Sequence, residues 1–247
     1  IGPYYRLHLF DPEHPLYYDF GAELYFDYQH RPGIYISSTL NTSILTEFDK
    51  VHRDVKGNVP HVRTRLRNYL NETGPRITNL TVSSYYKLDK NYYGRFTAGY
   101  LEPMFAGISS EILRSPSNSN LSLGFEINFT KPRSFDQLFG LRTEEGMAHL
   151  NGHLSTYWDT NYYNYIAQVD IGKYLAGDKG ATLKLTRSFP NGWNVGGFFT
   201  RTNLSYEEFG EGSFDKGFFI NIPFASFMPF ETRDSVTELV RPLQGDG

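Results

Sequence analysis

The sequence predicts an all-β protein: a single antiparallel, up-and-down transmembrane β-barrel domain over 1–247, with about twelve strands. Three observations predict it. Apolar and polar residues alternate with a period of two over stretches of about 9–12 residues, long enough to cross a bilayer as tilted strands. The stretches are separated by turn formers on one side and longer links on the other. Aromatics make up 17% of the chain, with 19 Tyr and 20 Phe, and Tyr and Trp gather beside the tight turns. An aromatic ring with a polar handle suits a membrane interface.

Strands are expected at 4–10, 16–29, 33–45, 76–88, 92–102, 104–113, 119–130, 146–158, 161–173, 180–189, 193–204 and 217–224. In the second, Tyr18, Phe20, Ala22, Leu24 and Phe26 oppose Asp19, Gly21, Glu23, Tyr25 and Asp27. The seventh alternates most cleanly: Leu121, Leu123, Phe125, Ile127 and Phe129 point one way, Ser122, Gly124, Glu126, Asn128 and Thr130 the other. In the eighth, Leu150 and Leu154 oppose His149, Asn151 and His153. In the ninth, Tyr165, Ala167, Val169 and Ile171 oppose Asn164, Gln168 and Asp170. The polar sides are rich in Ser, Thr, Asn, Gly and Tyr, which suits a hydrated lumen.

Turn formers mark tight connections at 31–33, 89–91, 159–161 and 190–192. Longer links follow the third, seventh, ninth and eleventh strands. Short turns on one side and long loops on the other are the outer-membrane pattern, which predicts an even strand number and periplasmic termini. The stretch 47–75 breaks the alternation. Within it, residues 60–71 read as a short helix, with Val62, Leu66, Tyr69 and Leu70 on one face, Pro60 at its start and Gly74-Pro75 as its stop. Residues 225–247 hold either a closing segment near 233–241 or a tail.

Composition excludes several classes. No run of 18 apolar residues exists, so a transmembrane helix is not expected. The chain has no cysteine, which argues against a disulfide-rich secreted sandwich. A net charge of −3 gives no case for nucleic acid. The opening Ile1-Gly2-Pro3 carries no signal-peptide pattern, so a mature or internal start is expected.

Candidate lumen-facing residues are Asp19, Glu23, Asp27, Glu126, His149, His153, Asp170 and Lys184. His149 and His153 share a strand face, but four residues of extended chain separate them by about 13 Å, too far for one metal. No Gly-X-Ser-X-Gly elbow is present, and the glycines around Asp178 make no phosphate cradle. Glu207, Glu208, Glu211 and Asp215 form an acidic loop, with Asp178 a further loop candidate; the spacing is not that of an EF-hand, and a structural or gating loop is favoured over an oxygen-rich metal site. No catalytic set, cofactor or metal is expected.

The loops carry a family resemblance. FGEGSFDKG at Phe209–Gly217, followed by FFINIP at Phe218–Pro223, resembles the hallmark of the YjbH family of Gram-negative outer-membrane proteins linked to exopolysaccharide or capsule production. GKYLAGD at Gly172–Asp178, the block His153–Thr160, KPRSFDQLFG at Lys131–Gly140 and LEPMFAG at Leu101–Gly107 resemble further family blocks. Together they cover the chain from about 100 to 225 in the expected order. The resemblance implies an outer-membrane location and the C-terminal barrel portion of a longer protein with a second barrel upstream. It implies outer-membrane lipid and lipopolysaccharide as surroundings and polysaccharide, the upstream barrel or other export components as partners. It transfers no catalytic residue. Two main readings remain open, a barrel for export or surface retention of polysaccharide and a plugged barrel that anchors a partner; a lipid or glycan hydrolase is the lesser third.

Overall fold

The computed structural model describes residues 1–9, 16–48, 66–143, 149–205, 214–223, 225 and 235–240. Alternation becomes one 13-stranded sheet in strict sequence order. The strands are β1 (Gly2–Leu9), β2 (Leu16–Arg31), β3 (Ile34–Thr46), β4 (Arg76–Asp89), β5 (Tyr92–Tyr100), β6 (Phe105–Arg114), β7 (Leu121–Pro132), β8 (Leu150–Asp159), β9 (Tyr165–Lys173), β10 (Lys179–Ser188), β11 (Asn194–Thr202), β12 (Asp215–Pro223) and β13 (Ser235–Val240). Every neighbouring pair is antiparallel. The up-and-down, all-β expectation therefore holds, with strand bounds close to those read from the sequence.

Four expectations need correction or restriction. Among the described residues there are thirteen strands, the extra one falling in the segment read as a possible closing strand. Because directions alternate, β1 and β13 run parallel, and Gly2 and Val240 lie at opposite ends of the sheet rather than together. Among the described residues no pairing joins β13 to β1, so the sheet is open there instead of closed as a barrel. A local alternation fixes which residues face together; it carries no information about a contact between the first and last strands. Finally, the link after β9 runs only 174–178, as short as the 160–164 turn at the opposite end.

The helix in the third link appears as α1 (Leu66–Leu70). The rest of the 60–71 expectation up to Arg65 lies outside the described residues. At the tight turn between β2 and β3, Gly33 adopts φ 84°, and a Cβ there would collide with the Tyr85 carbonyl oxygen, so glycine is required.

The two sheet faces are inverted relative to a water-soluble domain. Phe20, Leu24, Phe26, Val82, Phe96, Ile112, Phe125, Leu154, Ile171 and Phe199 are exposed, whereas Thr81, Thr97, Ser109, Thr130, Asn151 and Ser155 are buried on the opposite face. The buried apolar residues form only two small clusters. One joins Tyr17, Phe48 and Leu70; the other joins Tyr69, Met104 and Phe105. Both include a residue of α1, so the helix is seated against the polar face at the end carrying the 47–75 and 133–149 links.

Candidate functional site

The polar face is built by cross-strand register. Arg95 stands opposite Glu111, Glu111 opposite Glu126, Glu126 opposite His153, and His153 opposite Gly172, a row across β5 to β9. Arg95 Nε donates to Glu111 Oε2 at 3.1 Å, and Nη2 donates to Glu126 Oε2 at 2.6 Å. Two carboxylates thus share one guanidinium. Asn128 Nδ2 donates to Glu126 Oε1 at 2.7 Å and to Asn151 Oδ1 at 3.1 Å. Arg95 is 30% exposed and Glu126 31%, so solvent screens these pairs and they remain accessible to a polar ligand.

Next along the row, the His153 ring meets Tyr174 edge-on at 4.6 Å between centroids. The hydroxyls of Tyr174 and Thr182 share a hydrogen bond of 2.6 Å, and Thr182 and Thr200 share one of 2.7 Å. Burial raises the Tyr174 phenol above its ordinary value, and the Thr182 hydrogen bond partly offsets this. Gln168 Nε2 donates to Asp170 at 2.9 Å, and the Lys184 ammonium lies over the Phe219 ring at 4.6 Å. Chemically this surface offers carboxylates, amides, hydroxyls and aromatic edges, the groups that bind polyols.

The expected lumen residues divide into four groups. Glu126, His153, Asp170 and Lys184 contribute to this wall. Glu23 sits further along, opposite Asn41, and exposed Asp27 accepts from Ser37 Oγ at 2.5 Å. Asp19 is different: it is fully buried and accepts from Arg6 Nη2 and Arg76 Nη2, both at 3.0 Å. It is structural, not an open ligand position. His149 precedes β8, where its Nδ1 donates to the Thr130 carbonyl at 3.0 Å. It does not meet His153. Asp178 closes the turn through its carbonyl, which accepts from the Tyr174 N–H at 2.8 Å, and Asp215 stands opposite Thr200. Glu207, Glu208 and Glu211 lie outside the described residues. Among the described residues no group of three or more His, Cys, Asp or Glu could hold a metal.

Two buried arginines brace the links on either side of α1's seat, and sequence reading missed both. Arg76, 1% exposed at its side chain, donates to Asp19, to the Glu72 carbonyl at 2.9 Å and to Ser43 Oγ at 3.1 Å. Arg133 donates to the carbonyls of Glu102 at 2.9 Å, Gln137 at 2.7 Å and Leu138 at 3.0 Å, with Tyr100 stacked at 4.4 Å. Burial lowers the Arg133 pKa. Tyr69 Oη donates to the Arg133 carbonyl at 2.6 Å, and Gln137 Nε2 donates to the Tyr69 carbonyl at 2.9 Å. One overlooked pair was accessible: the expected hairpin over 92–113 already places Arg95 across from Glu111. The contacts of Arg76 with Asp19 and Ser43 and of Arg133 with Glu102 span distant segments and leave no local pattern.

Comparison with known proteins adds three findings. The model of the family YjbH, described as "Exopolysaccharide biosynthesis protein YbjH", matches residues 1–247. The "Uncharacterized lipoprotein YjbH" of Escherichia coli (strain K12) is 31% identical over 251 residues, an alignment covering 100% of this chain and 36% of that protein. The chain therefore spans little more than a third of the length of the relative it matches. No solved structure matches.

Proposed function

The chain belongs to the YjbH family of exopolysaccharide biosynthesis proteins, and on that premise we propose that it is a non-enzymatic outer-membrane β-barrel segment acting in exopolysaccharide or capsule export or surface retention. The observation that carries this reading is the inverted sheet. Exposed Phe, Leu and Ile on strands of 8–16 residues over β1–β12 form the lipid-facing surface, and the Arg95–Glu111–Glu126–His153 row forms the wall of a hydrated lumen. Hydrocarbon tolerates no unpaired strand edge, so β1 and β13 must be joined in the membrane, either to each other or by strands from the rest of the full-length protein. The tight-turn end faces the periplasm and the α1 end faces out.

Glu23, Asp27, Glu126, His153, Asp170 and Lys184 are the residues that polysaccharide meets in this reading. The cap formed by α1 favours a second one. Tyr69 fastens it over the polar face through the Arg133 carbonyl and the Gln137 amide, as expected of a plugged barrel that anchors a partner. Planar-bilayer conductance of the purified protein separates the two. A gated conduit is closed in the wild type and shows discrete openings in Tyr69→Ala, which exopolysaccharide fragments block. Silence in both proteins, with insertion verified, leaves the anchor.

A further inference from the structure

The 16 residues of β2 are paired unequally on their two sides. Toward β3 the ladder runs from Asp19 to Arg31. Toward β1 it covers only Leu16–Glu23, so along Leu24–Arg31 no strand among the described residues lies on that side. One bond fixes where the backbone groups point. The Tyr18 carbonyl accepts from the N–H of Glu47, just past β3, at 2.9 Å, so Tyr18 faces β3. Alternate residues of an antiparallel strand turn their N–H and C=O to opposite neighbours, which aims those of Asp27 and Gln29 away from β3, at the open edge. The same stretch carries Leu24, Phe26 and Tyr28, all exposed on the face assigned to lipid.

Hydrocarbon offers an open ladder no partner for its N–H and C=O groups, so this edge has to be covered. We propose that the Leu24–Arg31 edge of β2 is a pairing site for a strand from outside residues 1–247 of the same protein, running in line with β1 and antiparallel to β2. This rests on the barrel reading above. Length supplies the occupant. The Escherichia coli relative extends well beyond the aligned span, which covers 36% of it, so proteins of this family have further chain to place. The direction follows from β1, whose 8 residues fall short of the ~9–11 that cross a bilayer as a tilted strand. A continuation in line with it completes the crossing and covers β2 to its end. β13, with 6 residues, is too short to cover the edge. Register supplies the chemistry of the incoming strand, because cross-strand partners share a face. Its residues opposite Leu24, Phe26 and Tyr28 are apolar and meet lipid, and those opposite Asp27 and Gln29 are polar and meet the lumen.

The test uses the full-length protein in lipid nanodiscs. Hydrogen exchange of the wild type is read at the Asp27 and Gln29 amides, and the expected result is exchange at least about a hundredfold slower than in an unpaired chain. The occupant is then identified with the photo-cross-linker p-benzoylphenylalanine placed at Phe26 and, in a second variant, at Gln29. At Val82, which lies between Ile36 and Ala98 in mid-sheet, the same probe is a control that links to β3 and β5. Cross-strand side chains lie about 4.5–5.5 Å apart, within the reach of the probe. The expected product at Phe26 and Gln29 joins β2 to a segment of the same chain outside residues 1–247. A product with β13 overturns the proposal, as does one with a second copy, recognised by mixing isotopically light and heavy protein. Fast exchange at Asp27 and Gln29 in an inserted protein, or cross-linking to lipid alone, shows an uncovered edge and overturns the proposal while leaving the barrel reading in place. Failure of the wild type to insert into any bilayer overturns the barrel reading and this pairing site with it.

Discussion

At the scale of single residues, ionic groups differ by burial more than by identity. Asp19 is fully enclosed between Arg6 and Arg76, whereas Glu111 is 23% exposed beside Arg95. Removing one partner of a buried pair strands a charge, so Asp19→Ala should cost about 3–5 kcal/mol, against about 0.5 kcal/mol for Glu111→Gln. Urea unfolding of the two variants in the same detergent checks this, and equal midpoints would contradict it. Tyr174 gives a pH signature. Its phenol binds its proton more tightly when folded, so its contribution is intact below the ordinary value of 10.0 and declines as pH rises through the raised folded value. Tyr174→Phe should flatten that part of the alkaline stability profile; an unchanged slope would show that the phenol is not protected. The acidic and histidine candidates on strands were legible because alternation assigns a face. Asp19's enclosure was not, since both its arginines reach it from other strands.

At the scale of elements, the proposed lipid-facing surface predicts which substitutions a strand tolerates. Phe125 lies mid-strand on the exposed face of β7, with Ile112 and Leu154 opposite it on either side. In a bilayer, Phe125→Arg should cost about 2–4 kcal/mol, while Ser122→Arg on the other face of the same strand should cost well under half of that. Folding titrations into lipid vesicles provide the comparison, and equal penalties would remove the lipid-facing assignment. Strand existence and facing were readable throughout because each strand repeats its period long enough to average out exceptions. The start of β9 moved from the expected 161 to Tyr165 because Asn161, Tyr163 and Asn164 adopt positive φ in the turn. Apolar Tyr residues there imitate a strand pattern while the backbone turns.

For the whole molecule the open question is how the sheet edges meet. β1 and β13 run parallel, so direct closure makes one parallel pair within an otherwise antiparallel sheet. The absence of native cysteine makes this testable by cross-linking. Tyr5→Cys combined in turn with Val236→Cys and Val240→Cys should form an intramolecular disulfide in membranes if the edges join directly. No cross-link in either combination, with both proteins inserted, would assign closure to strands other than β1 and β13. The sequence by itself determined the strand order, the two faces and the family blocks, because these depend on near neighbours and a two-residue period. Only the tertiary structure decided the parallel relation of the edges, the seating of α1 through Tyr69, and the enclosure of Asp19 by Arg6 and Arg76. Each of these arises from register between segments far apart in the chain, which local alternation does not encode.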